Sequence, residues 1–343
     1  LWKVYGDLRL VQRGWEGMVA WMAYLERTNP GCLRTRELHN NYGDWLCLPS
    51  DREFRTQSPM KDLLATAYWA LDARLMAEMA EGLGLRQEAE TYSALFSRIR
   101  KAFQEHFLLD DGRLSVETQT AYLLALNFDL IPDELRPRAT EHLVGTIRAK
   151  NWHLSTGFVG IRELNPCLSL NGRNDVAYTL LLQEGYPGWL YPVQHGATTI
   201  WERWNGWTDR DGFFNPEMNS FNHYSLGSVG EWLFRHVAGI EYNPDHPGFQ
   251  HFQLSPYPDK RLPWVQARYN SLHGTIHSHW SWNGNLLEWE FTIPPNCTAE
   301  VSIPATGGTP VEINDDKAER VQRNDRLHLR LSSGTYFTKS TPA

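Results

Sequence analysis

The sequence predicts a mainly α chain that ends in a small antiparallel β-sandwich. Apolar residues recur at helical spacing as far as residue 242 and at two-residue spacing beyond it, and consecutive helical segments are separated only by short turns. The first segments, Leu10 to Arg27, Lys61 to Gly84 and Ala89 to Phe107, are all amphipathic. Gly84 closes one helix just before the next begins, and Ile131-Pro132-Asp133 places a proline near a first turn. Further helices are read at Glu117 to Leu126, Asp133 to Lys150, Gly157 to Leu170, Arg173 to Gln183 and Ser220 to Ala238. Helices joined by short turns lie antiparallel, so residues 1–242 form an array of hairpins whose natural closed form is a toroid of paired helices.

A bridge from Glu241 to Phe252 leads into residues 243–343, where strands are read at Trp264 to Ser271, Gly274 to Trp282, Leu286 to Ile293, Ala299 to Pro304 and Leu327 to Thr338. Asn283-Gly284-Asn285 is a strong hairpin turn between two of them. Short alternating strands with frequent turns read as the β-sandwich, which usually covers or stabilises a larger neighbour. At 343 residues the chain has room for both parts, since single cores stop growing near ~250–300 residues.

Composition narrows the function classes. The formal net charge is −7 and no Lys/Arg cluster follows the chain, which excludes the electrostatic footprint of nucleic-acid binding. No run of ~18 apolar residues is present, so no membrane-spanning helix is expected. Cys32, Cys47, Cys167 and Cys297 show neither CxxC nor Cys/His ligand spacing, and the glycine-containing turns carry no phosphate signature. Neither a metal nor a cofactor is expected. The 15 tryptophans make many rings available to line a cleft as well as to fill a core.

Gly196 to Trp207, reading GATTIWERWNGW, sets the carboxylate of Glu202 among Trp201, Trp204 and Trp207. One face of a sugar ring carries C–H bonds that lie well on an indole, while its hydroxyls need fixed polar partners, so tryptophan beside a carboxylate suits sugar chemistry. The alternative is a packing corner in which Glu202 pairs with Arg203. Asp44 is a candidate acceptor for two sugar hydroxyls, or a helix N-cap in a Gly-Asp turn. His223 and Trp45 are candidate ring-binding residues, or a core histidine and a buried tryptophan.

The blocks YPVQHGATTIWERWNGW (Tyr191 to Trp207) and NPEMNSFNHYSLGSVGEWLFRHVAGI (Asn215 to Ile240) resemble the catalytic domain of the bacterial α-L-rhamnosidases of glycoside hydrolase family 78. NYGDWL (Asn41 to Leu46), TQTAYLLAL (Thr118 to Leu126) and HLSTGFVG (His153 to Gly160) agree in order and spacing. The resemblance implies an (α/α)6 barrel over residues 1–242 and a β-sandwich over 243–343. It implies hydrolysis of terminal α-L-rhamnosides with inversion, so a rhamnose-containing glycoside or oligosaccharide is the expected partner. Inversion needs an acid and a base about 6.5–9.5 Å apart, with water between base and sugar. The base of the Trp-Glu-Arg-Trp motif carries over to Glu202, which is then expected in a polar, partly hydrated place. His223 and Trp45 carry over as rhamnose-binding residues, with Trp201 and Trp204 beside them. A shared sugar requires Glu202, His223, Trp45 and Asp44 to converge on one cleft. Gln119, His153 and His195 fall in matching blocks without an assigned contact.

The pattern departs from the family in one respect. The family's acid lies in a block of Asp-Glu-Arg followed by Gly-Trp, and the chain has no such block. The Gly-Trp-Glu of Arg13 to Met18 lies inside an amphipathic helix, which makes Glu16 a solvated residue. An incomplete barrel is therefore expected, a fragment cut before its first helices and inactive alone, with Leu1, Val4, Trp15, Met18 and Met22 exposed. A non-hydrolytic carbohydrate-binding barrel is the rival reading. Another inverting (α/α)6 hydrolase, or a lyase acting on acidic glycans, is a further one; the net negative charge gives a lyase little support.

Overall fold

A computed structural model describes residues 1–35, 42–48, 58–306, 309–314 and 319–342. Two compact units emerge: Gln12–Val229, which is largely helical, and Leu1–Val11 together with Gly230–Ala343, which carries the main sheet.

The helices are α1 (Trp2–Tyr5), α2 (Arg9–Thr28), α3 (Pro59–Gly82), α4 (Arg86–Phe107), α5 (Gln119–Asn127), α6 (Arg136–Ala149), α7 (Phe158–Leu170), α8 (Asn174–Leu181) and α9 (Leu190–Gln194). Starts are set locally. Ser58 caps α3 by accepting Lys61 N–H, with Pro59 at the first turn, and Thr118 caps α5 by accepting Ala121 N–H. Three hairpins pair α3 with α4, α5 with α6 and α7 with α8. Their members differ in kind. Every residue of α5 from Gln119 to Leu126 is buried, as are eight residues of α7, whereas α4 buries a single stripe of Tyr92, Leu95, Ile99, Phe103 and Phe107. Helices buried all round form an inner row and amphipathic ones an outer row. Within the inner row α5 touches both α3 and α7. Thr120 meets Gly160, and Asn127 Nδ2 donates to Glu163 at 2.7 Å, so α5 and α7 run parallel.

The predicted helix from Ser220 begins only at Ser225. The N–H groups of Ser220 and His223 are drawn to Glu202 and Ile200, so the helical ladder cannot start there. Ser225–Val237 is then a succession of 3-10, α and π turns. A small antiparallel hairpin, β1 (Trp207–Thr208) and β2 (Gly212–Phe213), lies in a stretch where no strand was expected. Leu1 is 68 % exposed, as expected, but Met22 is 1 % exposed, so the proposed open face of α2 does not extend to it.

The second unit contains β3 (Ile240–Tyr242), β4 (His251–Leu254), β5 (Trp264–Ser271), β6 (Gly274–Asn283), β7 (Leu286–Pro304), β8 (Glu312–Ile313), β9 (Arg320–Arg323) and β10 (Arg326–Ser340). Two expected strands are fused in β7. Its interruption survives as an irregularity, where Pro294 to Cys297 stand against Ser333 of β10 and proline donates no ladder bond. One pairing departs from the antiparallel expectation: β4 runs parallel to β7. The core holds Phe252, Trp280, Trp289 and Phe291, and each indole N–H finds an acceptor, Val237 O for Trp280 and Ser278 Oγ for Trp289.

Candidate active site

The inner helices begin at one end of the helical unit, where Thr118 Oγ1 reaches Met60 Sδ at 3.4 Å and the starts of α3 and α5 meet. The start of α7 joins them through Asp44. This carboxylate accepts N–H groups from Gly157 at 2.7 Å, Val159 at 2.9 Å and Gly160 at 3.2 Å, and the Thr120 hydroxyl at 2.5 Å. It does the work of an N-cap from far along the sequence, with its charge at the positive end of the helix dipole. Burial pushes the Asp44 carboxyl above its ordinary range, and the four donors oppose that rise. Both oxygens are engaged within the chain, so Asp44 belongs to the scaffold and is not the sugar acceptor expected from sequence.

The loop before α7 is clamped further. Gln119, fully buried, donates to His153 O and accepts Ser155 N–H, while Trp204 Nε1 donates to Thr156 O at 2.8 Å. Trp204 is 3 % exposed and lies edge-on to Trp189, which makes it a core tryptophan instead of a binding surface. Phe158 N–H donates to Trp45 O, bringing the half-buried Trp45 beside this helix start. Asn41, first residue of the Trp45 block, lies outside the described residues.

The segments holding Glu202 and His223 are laced together. Glu202 N–H donates to Ser220 O at 2.8 Å, Ser220 N–H returns to Glu202 Oε2 at 2.9 Å, and His223 N–H donates to Ile200 O at 2.9 Å. Glu202 is half-buried. Among the described residues nothing hydrogen-bonds its Oε1, and no ion pair joins it to Arg203. Arg203 donates to Asn205 and lies over the Phe214 ring at 3.8 Å, which departs from the packing corner in which Glu202 pairs with Arg203.

His223 stacks with two rings, Phe158 at 5.0 Å and 27° and Tyr224 at 5.1 Å and 15°. Its Nδ1 accepts Ser225 N–H at 3.3 Å, which in the neutral ring leaves the proton on Nε2 as a donor. Phe158 thus links the two halves of the site, holding Trp45 by its backbone and His223 by its ring. Sequence reasoning missed Phe158, Ser220 and Tyr224, although Gly157-Phe158 at a helix start was a readable signal. His195 contacts Asp209 at 3.2 Å, and Asp209 also accepts from Tyr191. No group of three or more potential metal ligands occurs among the described residues.

A sequence model of the bacterial alpha-L-rhamnosidase 6 hairpin glycosidase domain matches residues 1–237. The chain belongs to the bacterial α-L-rhamnosidase family. The family's C-terminal domain matches residues 239–317. An α-L-rhamnosidase of Streptomyces avermitilis is 41 % identical over 97 % of the chain, and one of Formosa agariphila is 33 % identical over 98 %. These alignments cover 30 % and 37 % of the two relatives, so the chain spans about a third of their length. The S. avermitilis rhamnosidase, solved with L-rhamnose, superposes with a TM-score of 0.91 at 40 % identity, over 99 % of the chain and 32 % of that structure. The rhamnosidase from Dictyoglumus thermophilum gives 0.86 at 27 % identity, over 99 % of the chain and 38 % of that structure.

Proposed function

We propose that the chain carries part of the (α/α)6 catalytic barrel and the β-sandwich domain of an inverting glycosidase that releases terminal α-L-rhamnose from glycosides. The inner row of parallel helices with an outer amphipathic row supports the barrel, and the two family matches support two domains that meet between residues 237 and 239, a few residues before the expected 242. The relatives' common name supports the substrate class.

Glu202 is the general base. The observation that carries this reading is its carboxylate: Oε2 is fixed by Ser220 N–H, and among the described residues Oε1 has no donor and is left to receive a proton from water. His223 offers Nε2–H to a sugar hydroxyl, Trp45 holds the backbone of Phe158, whose ring stacks on His223, and Trp201 precedes Glu202 in the same loop. The family's acid belongs to an Asp-Glu-Arg block absent from this sequence, so the proton for the leaving oxygen is assigned to no residue of this chain. Water attacks the face opposite the departing group and inverts the anomeric centre. NMR of the first-formed sugar from an aryl α-L-rhamnoside, cleaved by the gene's full-length product, tests this. β-L-Rhamnose is expected first, and α-L-rhamnose first would exclude a direct displacement by water.

A further inference from the structure

We propose a second saccharide-binding site on the helical unit, in the cleft bounded by the β1–β2 hairpin, which takes a neutral sugar outside the Glu202 site. This rests on the glycosidase reading above.

The cleft has a volume of about 360 Å³, near the lower end of the ~300–1,000 Å³ range of small-ligand pockets. Its wall is aromatic: Trp207 and Phe213 stand opposite each other across the hairpin, and Phe221 meets both Phe213 and Trp201 edge-on. Phe213 is 75 % exposed on the second strand of this hairpin. A large ring held so far into solvent, on a hairpin with aromatic neighbours, is a platform without a cover among the described residues.

The polar part of the lining is equally specific. His195, Thr198 and Thr199 border the cleft, and among the described residues no Lys, Arg, Asp or Glu does. His195 is oriented by Asp209 and packs on Trp207 at 4.7 Å. A phosphate or uronate would meet no fixed cation here, and a purely apolar ligand would strand the imidazole and the threonine rim. A neutral sugar uses both, with its C–H face on the rings and its hydroxyls on the rim.

Neither Glu202 nor His223 lines this cleft, so its occupant is not the ring being hydrolysed. Yet Trp201 and Phe221 are the chain neighbours of Glu202 and Ser220, which exchange hydrogen bonds. A saccharide held at the hairpin keeps a multivalent substrate beside the catalytic loop and raises its local concentration.

The test is calorimetric titration of the full-length Glu202→Gln protein, with and without Phe213→Ala, using a neutral rhamnose-terminated tetrasaccharide and free L-rhamnose as probes. Because Phe213 is exposed, its replacement leaves the fold intact, checked by an unchanged thermal midpoint. Phe213→Ala is expected to weaken tetrasaccharide binding about fivefold, the scale of one lost aromatic platform, and to leave L-rhamnose binding unchanged. Unchanged tetrasaccharide affinity would overturn the proposal. Equal losses for both probes would also overturn it, since the hairpin would then shape the Glu202 site. A wrong assignment of Glu202 shows itself separately, as hydrolysis of the tetrasaccharide by Glu202→Gln, and the comparison with and without Phe213→Ala is then made with a non-hydrolysable thio-linked tetrasaccharide.

Discussion

The carboxylate of Asp44 accepts the backbone N–H of Gly157 at 2.7 Å across 113 residues of sequence, and with it the first turn of α7. Phe158 follows in that turn and stacks on His223, so the placement of both rings depends on a carboxylate far away in sequence. Asp44→Asn keeps the shape but turns an amide N–H toward backbone donors. Buried charged hydrogen bonds of this kind contribute about 1.5–3 kcal/mol each, and a net loss of roughly 3 kcal/mol is expected in urea unfolding. An unchanged midpoint would show that α7 starts without this cap.

Gly157 itself tolerates no side chain. A Cβ there would lie well inside 3.0 Å of Trp45 O and Cys47 N, both backbone atoms that cannot swing away. Gly157→Ala is expected to destabilise by about 2–3 kcal/mol or to yield insoluble protein. Gly145 in α6 is the contrasting case, with nothing within 4 Å of its Cβ position. Gly145→Ala should stabilise by about 0.5–1 kcal/mol, through helix propensity alone. Thermal midpoints moving in opposite directions meet the expectation; midpoints moving together contradict it.

His236 gives the sheet unit a pH dependence. Burial first, and then Arg235, push its imidazole down to about 4 from an ordinary value of 6.5. The folded state therefore holds it neutral while the unfolded chain binds a proton between those two values. Its contribution is fully present above pH 6.5 and is lost as pH falls toward 4, on the order of 3 kcal/mol in all. Unfolding free energies measured from pH 7 to 4.5 should fall, and a His236→Gln variant should fall less steeply. Parallel slopes for the two proteins would remove His236 as the cause.

Much of the architecture was legible because it rests on local pattern. Strand β5 occupies Trp264–Ser271 as read from its two-residue alternation, and α7 and α4 end at the expected Leu170 and Phe107. What escaped depends on partners distant in sequence. No local signal tells that Ser220 and His223 give their N–H groups to the Glu202 segment, so the helix was drawn five residues too early. Nor does the Gly-Asp turn of Asp44 reveal donors at positions 157 to 160. Trp204 looked like a sugar platform because tryptophan beside a carboxylate is common to both roles. Only its buried indole N–H on Thr156 O separates them. Glu202, His223 and Trp45 were singled out as candidates in sequence, while Phe158, which donates to Trp45 O and stacks on His223, was not.

The central claim is that Glu202 receives the proton from the attacking water. In Glu202→Gln the side-chain oxygen still accepts Ser220 N–H, so the loop is retained, but the amide has no proton affinity to offer. The decisive measurement is kcat and KM of the full-length Glu202→Gln protein on an aryl α-L-rhamnoside beside the unaltered enzyme. The account predicts a kcat lower by about 10²–10⁴ with KM little changed. A kcat near that of the unaltered enzyme would contradict it.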